Sequence, residues 1–228
     1  MQHGVLLITG ASSGIGAATA RAAAREGYKL VLAARSADKL EALAHELGPE
    51  NVLTCELDVT DMEQQLAMID QTLETFGRLD AVFANAGQSG SSGGFSSADH
   101  TTWREMILTN VYGVGLTLQA TLPTLKRHKG HVLLTGSAAG RTTIPGSMYS
   151  ATKWAVTGVG YNLREELRGS GMRVTLIEPG MVDTPFFDES PENALEDRDI
   201  ANAVIYALSQ PAHVDVNEIL IRPTPPTE

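Results

Sequence analysis

Residues 5–16 read VLLITGASSGIG, and this stretch decides the fold. Its first five residues are apolar or β-branched, which predicts a buried strand at Val5–Thr9. Three glycines follow this strand, around the place near Ile15 where a helical pattern begins: Gly10, Gly14 and Gly16. Glycine permits a tight turn, and the free amides and dipole of a helix N-terminus attract an anion, so the stretch predicts a phosphate-binding turn. Because the spacing is G-x-x-x-G-x-G and not G-x-G-x-x-G, a purely structural glycine turn is the alternative.

The alternation of strand and helix continues along the whole chain. Short apolar runs are each followed by a longer segment with helical periodicity, which is typical of a parallel sheet covered by helices. We predict seven strands, at Val5–Thr9, Lys29–Ala34, Val52–Glu56, Leu79–Ala84, His131–Thr135, Arg173–Ile177 and Glu218–Ile221. The predicted fold class is therefore α/β, with a doubly wound, seven-stranded parallel sheet that has helices on both faces.

The composition is typical of one globular domain. The chain has 228 residues, of which 43% are hydrophobic, and no Pro- or Ser-rich linker divides it, so we predict a single domain over residues 1–228. A formal net charge of −10 without any basic run argues against nucleic-acid binding. The N-terminus lacks the pattern of a signal peptide, and no apolar run reaches the ~20 residues of a membrane span. With Cys55 as the one cysteine, these features predict a soluble, cytoplasmic protein.

The helix after the third predicted strand has the clearest periodicity. Its apolar residues step by four and three, which predicts one shared buried face, formed by Met62, Leu66, Ile69, Leu73 and Phe76. Thr60 with Glu63, and Thr102 with Glu105, have capping-box spacing and predict where this helix and the next long helix begin.

The end of the second strand predicts the choice of cofactor. In dinucleotide-binding folds an acidic residue there binds the ribose 2′-hydroxyl, whereas a basic residue accommodates a 2′-phosphate. Here Ala34 is followed by Arg35, and the first carboxylate comes at Asp38. A guanidinium can bind a phosphate with two hydrogen bonds, so this position predicts NADP(H). The alternative is a solvated arginine that pairs with Asp38.

A tyrosine and a lysine four residues apart form the candidate catalytic pair. Tyr149 and Lys153 lie in YSATK at the start of a helical pattern, so both side chains emerge from one helix face. A neighbouring ammonium favours the phenolate and lowers the pKa of a tyrosine toward the working range. Ser137 follows the fifth strand, where its hydroxyl could reach an oxygen bound at the carboxyl edge of the sheet. Taken alone, Tyr and Lys at this spacing are usually just a helix surface.

These motifs, in this order, resemble the short-chain dehydrogenase/reductase family over nearly the whole chain, in its single-domain subgroup with TGxxxGxG and YxxxK motifs. TGASSGIG matches the glycine turn, LDVTD contains the matching adenine-contacting aspartate Asp58, and residues 85–87 match the family's NAG element. The family's catalytic tetrad matches Asn110, Ser137, Tyr149 and Lys153. PGMVDT, at residues 179–184, matches the segment that contacts the nicotinamide carboxamide in relatives.

The resemblance implies a Rossmann fold, a cofactor and a mechanism. Tyr149 would exchange a proton with the substrate oxygen while hydride moves between substrate and nicotinamide. Lys153 would lower the pKa of Tyr149 and bind the nicotinamide ribose, Ser137 would orient the substrate oxygen, and Asn110 would hold a water in the proton relay. The cofactor would be bound by Gly10, Ser12, Ser13, Gly14, Ile15, Gly16, Arg35, Asp58, Val59, Asn85, Ala86, Gly87, Tyr149, Lys153, Pro179, Gly180, Val182 and Thr184.

The resemblance also bears on the cofactor and on assembly. Many NADP-dependent relatives have a basic residue where this chain has Ser13, so NADP(H) is the predicted cofactor and NAD(H) stays open. Relatives form homodimers or homotetramers through the helices that begin here near Thr102 and Tyr149. Two other functions stay open: a catalytically silent dinucleotide sensor or scaffold on this fold, and an epimerase or dehydratase of the extended relatives. No H-E-x-x-H or paired Cys/His spacing is present, which predicts no metal site.

Substrate selection is expected in two segments. One is the loop Gly87–Phe95, and the other is residues 184–199, which we predict to be a substrate lid. Within it, residues 188–199 contain six carboxylates and one arginine, from which we hypothesise that strongly anionic substrates are disfavoured; the alternative is a solvated, screened segment. Phe186 and Phe187 indicate an apolar contact with substrate or, alternatively, with the body of the protein.

Overall fold

A parallel sheet forms the centre of the molecule. The computed structural model describes residues 4–90, 93–187, 189 and 191–225. In this part of the chain, seven strands pair in the order β3-β2-β1-β4-β5-β6-β9, all parallel. They are β1 (Val5–Thr9), β2 (Lys29–Ala34), β3 (Val52–Glu56), β4 (Ala81–Ala84), β5 (His131–Thr135), β6 (Arg173–Pro179) and β9 (Glu218–Ile221). The predicted fold class is confirmed: the sheet is Rossmann-like, with helices around it.

Five of the seven strands have the predicted bounds. β4 begins at Ala81, two residues later than predicted, and β6 continues two residues further, to Pro179, because its last residues pair with β9. A further small sheet joins β7 (Val182–Asp183) to β8 (Leu195–Glu196). The helices are α1 (Gly14–Arg25), α2 (Ala37–Leu47), α3 (Met62–Phe76), α4 (Gly94–Ser97), α5 (His100–Ile107), α6 (Gly113–His128), α7 (Met148–Glu166) and α8 (Asp197–Ser209).

Successive side chains of a strand point to opposite faces of the sheet, and helices cover both faces. The inner strands are therefore buried on both sides. Leu6, Ile8 and Leu32 pack against α1, α2 and α8. Leu7 and Val31, on the opposite face, pack against α3, α6 and α7. Each face is thus covered by three helices, which leaves the carboxyl ends of the strands as the open edge. Among the described helices, none is long and apolar enough to cross a membrane.

The predicted face of α3 is confirmed for Ile69, Leu73 and Phe76, which pack in or against the core, but not for Leu66, and both helix starts were predicted wrongly. Leu66 is 47% exposed, whereas Gln65 is buried because its amide donates to Val59 O at 3.0 Å and to Thr117 Oγ1 at 2.9 Å. The N-cap residues are aspartates: Asp61 accepts from the amides of residues 63 and 64, and Asp99 accepts from the amide of residue 101. A carboxylate at the N-cap is favoured by the helix dipole, which explains the different starts.

A buried histidine lies at the beginning of β5. His131 is 2% exposed, and its Nε2 lies 2.7 Å from Thr175 Oγ1. Because the Thr175 hydroxyl donates to Val216 O at 2.6 Å, Nε2 is assigned as the protonated donor to Thr175. Burial, helped by the charge of Arg173, lowers the pKa of His131 to about 3. The ring is therefore neutral in the folded protein.

This histidine should make stability depend on pH. Between the folded pKa of about 3 and the usual value near 6.5, the unfolded chain binds a proton that the folded chain does not. The free energy of unfolding should therefore fall as pH falls below 6.5, by up to about 1.4 kcal/mol per pH unit from this group. Urea unfolding at pH 7.5, 6.5 and 5.5 measures it. His131→Gln keeps a donor toward Thr175 without titrating, so its stability should fall less steeply; equal slopes would contradict this prediction.

Candidate active site

A cleft opens at the carboxyl edge of the sheet, beside the point where the strand order reverses between β1 and β4. Its volume is about 680 Å³. Ligands of open parallel sheets bind at this position. The predicted residues that line it are Gly10, Ser12, Ser13, Gly14, Ile15, Arg35, Asp58, Val59, Asn85, Ala86, Gly87, Ser137, Tyr149, Lys153, Pro179, Gly180, Val182 and Thr184. Gly16 and Asn110 are not in the lining and support it from behind.

The glycine turn forms one wall of the cleft. Gly10 and Gly14 have φ angles of 66° and 50°, in the left-handed region that favours glycine. A Cβ on Gly16 would lie 2.2 Å from Gly10 O, so only glycine allows α1 to pack on the turn. Ser13, the N-cap residue of α1, makes no side-chain hydrogen bond to the first amides of the helix. A helix start with free amides at a glycine turn fits the pyrophosphate of a dinucleotide.

Two threonines that the sequence did not single out hold this wall in place. Thr9 Oγ1 accepts hydrogen bonds from the amides of Asn85 and Ala86, at 3.0 and 3.1 Å. The side chain of Asn85 donates to Thr9 O at 3.1 Å and accepts from Thr135 Oγ1 at 3.0 Å. Asn85 therefore joins the ends of β1, β4 and β5. A threonine in a strand carries no local signal for such a role, because its partner comes from a distant strand.

Arg35 lies exposed at the rim of the cleft, beside Ala34. Across residues 4–90, no ion pair joins it to Asp38, which was the alternative role for this arginine. Its charge contributes to lowering the pKa of Asp58, although hydrogen bonds from the amide and hydroxyl of Thr60 are the larger causes. The guanidinium at the end of β2 is thus available to bind a ligand in the cleft, and Asp58 stays ionised nearby.

The opposite wall carries the candidate catalytic side chains. Lys153 is buried, and its Nζ donates to Thr135 O at 2.8 Å and lies 5.6 Å from the centre of the Tyr149 ring. Ser137 caps the short 3₁₀ turn Ala138–Gly140 by accepting from Ala139 N at 3.0 Å, and it hydrogen-bonds Tyr149. The fold thus brings three predicted residues together from the end of β5 and the first turns of α7.

Burial is the largest cause of the pKa shifts of Tyr149 and Lys153. It raises the pKa of Tyr149 to about 12, against the opposing hydrogen bond with Ser137, and it lowers the pKa of Lys153 to about 8. We expected Lys153 to bring the pKa of Tyr149 toward neutrality. In this structure the desolvation of the phenolate sets the direction of the shift instead. Tyr149 is therefore a protonated phenol at neutral pH, which suits it to donate a proton.

Asn110 lies behind the pair, in a π-helical turn, Leu108–Tyr112, between α5 and α6. Its Oδ1 accepts from Gln88 N at 2.8 Å, and its Nδ2 donates to Gln88 O at 3.0 Å and to Thr152 Oγ1 at 3.2 Å. A Cβ built on Gly87 would lie 3.5 Å from Asn110 Oδ1 and 3.8 Å from Lys153 Nζ. Gly87 thus lies close to both the Asn110 side chain and the Lys153 ammonium. Single-turn π-helices are frequent at functional sites.

The segment after β7 covers Tyr149. The rings of Tyr149 and Phe186 are 5.7 Å apart, and Phe187 packs edge-on against Phe186. Of the predicted lid, residues 195–199 form β8 and the start of α8, where Glu196 and Asp199 make a capping box. These two carboxylates stabilise the start of α8. The role of residues 184–199 as a substrate lid stays a prediction. Asp188 and Ser190 of this segment, and Ser91 and Ser92 of the Gly87–Phe95 loop, lie outside the described residues.

Several known proteins are similar to this chain in sequence and in fold. A family model described as short chain dehydrogenase matches residues 4–195. An uncharacterized oxidoreductase of Staphylococcus haemolyticus is 41% identical over 96% of both chains. The alcohol dehydrogenase of the archaeon Thermococcus sibiricus, complexed with 5-hydroxy-NADP, is 38% identical with a TM-score of 0.90, over 99% of this chain and 100% of that one. The 3-ketoacyl-(acyl-carrier-protein) reductase of Brucella melitensis, complexed with NADH, is 26% identical with a TM-score of 0.90, over 97% of both.

Proposed function

The chain belongs to the short-chain dehydrogenase family of oxidoreductases, and we propose that it moves a hydride between NADP(H) and a carbonyl or secondary alcohol, with Tyr149 as general acid and base. One observation carries the proposal: Ser137, Tyr149 and Lys153 meet across the cleft from a glycine turn that fits a pyrophosphate. The complete group argues against a catalytically silent sensor on this fold.

Each residue has a role that follows from its surroundings. The nicotinamide, when bound, supplies or accepts the hydride. Tyr149 Oη donates a proton to the carbonyl oxygen during reduction and takes it back during oxidation. Ser137 donates a hydrogen bond to the same oxygen and holds it beside Tyr149. Lys153 is mostly charged below pH 8, so its ammonium stabilises the phenolate that forms when Tyr149 gives up its proton. Asn110 fixes the backbone next to Lys153, where we propose a water in the proton relay.

The remaining predicted residues are proposed to bind the cofactor. The turn from Gly10 to Gly16 would hold the pyrophosphate, Asp58 and Val59 would contact the adenine, and residues 85–87 would support the adjoining ribose. Pro179, Gly180, Val182 and Thr184 would contact the carboxamide. Two relatives with high structural similarity support this class of cofactor, since one is complexed with 5-hydroxy-NADP and the other with NADH.

Arg35 should make NADPH the preferred cofactor. Its free guanidinium at the rim can bind a 2′-phosphate, whereas Ala34 offers no carboxylate to the 2′-hydroxyl of NADH. We expect kcat/KM to be at least about tenfold higher with NADPH, a charge-assisted pair being worth about 1.5–3 kcal/mol. Arg35→Ala should remove most of this preference, and Arg25→Ala, an exposed arginine at the far end of α1, should not. A wild-type preference for NADH would contradict the proposal.

The substrate is proposed to be uncharged. The described residues that line the cleft include two cations, Arg35 and Lys153, and both are assigned to the cofactor and the catalytic pair. A substrate carboxylate would therefore have no partner, while Phe186 presents an apolar surface beside Tyr149. Acetophenone and 4-acetylbenzoate form a matched pair, because they share the ketone and the ring and differ by one carboxylate.

Oxidation of NADPH, followed by absorbance, tests both parts of the proposal. We expect turnover with acetophenone or with other members of a panel of neutral ketones, and a lower kcat/KM for each matched keto acid. Faster turnover of 4-acetylbenzoate than of acetophenone would contradict the proposed substrate class and leave the proposed reaction unaffected. Tight NADPH binding without turnover of any ketone or aldehyde would support the silent sensor instead.

We further propose that the protein is one domain and assembles as a homodimer or homotetramer. Large apolar side chains stand exposed on α5 and α7, the helices that relatives pair, and on the π-helical turn after α5, among them Ile107, Tyr112, Trp154 and Tyr161. Such exposed apolar side chains are typical of a protein interface. Light scattering of the purified protein measures its molar mass, and a monomer at micromolar concentration would contradict this proposal.

A further inference from the structure

A buried carboxylate outside the predicted site contacts the segment that carries Ser137. Glu178 is 1% exposed and lies near the end of β6, and its Oε1 accepts from Arg141 Nε at 2.7 Å. Neither residue lines the cleft. Because a buried ion pair is weak evidence for stability, its presence in this position calls for another role.

Glu178 touches the chain on both sides of Ser137. On one side, a Cβ on Gly136 would lie only 3.0 Å from Glu178 Cγ, so Gly136 packs directly on this side chain. On the other side, Arg141 ends the 3₁₀ turn that Ser137 begins, and it is paired with the Glu178 carboxylate. One side chain thus limits the movement of the six-residue segment 136–141.

The same carboxylate reaches the helix that carries Tyr149 and Lys153. Thr157, one turn beyond Lys153 on α7, has its hydroxyl 3.5 Å from Glu178 Oε1. Gly140 packs on the backbone of this helix, where a Cβ would lie 2.7 Å from Lys153 O. Glu178 therefore lies between the segment with Ser137 and the helix with the candidate proton donor.

Arg141 is in turn held from two further directions. Its Nη2 forms an ion pair with Glu218 on β9, and its Nη1 donates to Tyr161 OH on α7. The guanidinium also lies 5.4 Å from the centre of the Tyr161 ring. These contacts to β6, β9 and α7 hold Arg141 in place at the end of the turn.

We propose that Glu178 is a positioning residue, which acts through Arg141 and Gly136 to hold the Ser137 hydroxyl at the place where it meets the substrate oxygen and Tyr149. This inference rests on the proposed function of Ser137 and Tyr149. Glu178 itself touches neither substrate nor cofactor. Small displacements of positioned groups can cost about 10²-fold in rate, so the effect should be seen in kcat.

The experiment is a double-mutant cycle on kcat for ketone reduction. Glu178→Gln keeps the shape and removes the charge, and we expect kcat to fall about 10- to 100-fold while the Kd for NADPH changes less than about threefold. In a Ser137→Ala background the same substitution should have less than about a threefold effect, because the group that Glu178 positions is gone. A structural role alone would lower kcat equally in both backgrounds, and that result would overturn the proposal.

Two further variants keep the test decisive. Arg141→Lys retains the charge but not the multiple bonds of the guanidinium, and it should show the same dependence on Ser137 even if Glu178→Gln folds poorly. Glu46→Gln breaks an exposed pair with Arg21 of the same 2.7 Å length, and it should leave kcat unchanged. Turnover by the wild type that Tyr149→Phe abolishes, together with an additive cycle, would reject this inference and leave the proposed function intact.

Discussion

Tyr149→Phe should lower kcat for ketone reduction by about 10²–10⁴-fold, the usual contribution of a general acid, while the Kd for NADPH stays within about threefold. The phenylalanine ring keeps the packing against Phe186 and the cation–π contact with Lys153, and it loses the hydroxyl with its proton and its hydrogen bond to Ser137. Stopped-flow or steady-state absorbance measures kcat, and quenching of protein fluorescence measures the Kd. Phe186→Ala is a suitable companion, since it changes the same ring stack and leaves the Tyr149 hydroxyl. Turnover of the phenylalanine variant near the wild-type rate would reject Tyr149 as the acid.

Gly16→Ala should damage both stability and cofactor binding. Its methyl group would lie 2.2 Å from Gly10 O and 2.9 Å from Asn85 Nδ2, so α1 or the turn must move. Overpacking of this kind costs about 1–3 kcal/mol. Because the strained atoms form the proposed phosphate turn, we expect the Kd for NADPH to rise by about 5- to 150-fold, the same energy expressed as affinity. Urea unfolding and fluorescence titration measure the two effects.

Gly77→Ala is the matched control for this substitution. Gly77 ends α3 with a φ angle of 73°, and no atom lies within 4 Å of the position of its Cβ. An alanine there is strained by about 1–2 kcal/mol, but far from the glycine turn. It should therefore lower the free energy of unfolding and leave NADPH binding unchanged. Equal losses of affinity in both variants would mean that the Gly16 effect comes from general destabilisation.

The strands were predictable because each is a short, mainly apolar run between a helix and a glycine or polar residue, and the five inner strands are buried on both faces. That signal is local, as in Val5–Thr9, whose bounds are confirmed. The burial of Gln65 on α3 was not predictable from apolar spacing, since its amide group is buried with Val59 O and Thr117 Oγ1 as hydrogen-bond acceptors. Thr117 is distant in the sequence, so no local pattern indicates that the glutamine finds this partner.

The candidate site divides in the same way. The predicted residues that line the cleft lie in recognisable motifs, whereas the supporting roles of Thr9, Thr135 and Glu178 depend on partners that are distant in the sequence. In sequence a threonine within a strand indicates only β-propensity. Two of the acidic residues in the predicted lid also carry a local signal for the start of a helix. Glu196 and Asp199 have the spacing of a helix start, and a carboxylate there is explained by the helix dipole without any substrate.

The strand order has a consequence for how the chain reaches its native state. β1 lies between β2 and β4 in the sheet. The pairing of Leu6 in β1 with Ala81 in β4 joins segments that are distant in the sequence, because β2 and β3 lie between them along the chain. At the other end, β6 gains its outer neighbour only when residues 218–221 are available. Contacts between such distant segments slow folding, because the entropy of closing each loop is lost before the pairing can compensate. During synthesis, the apolar strand β6 is an open sheet edge until β9 emerges, and such edges are prone to aggregation.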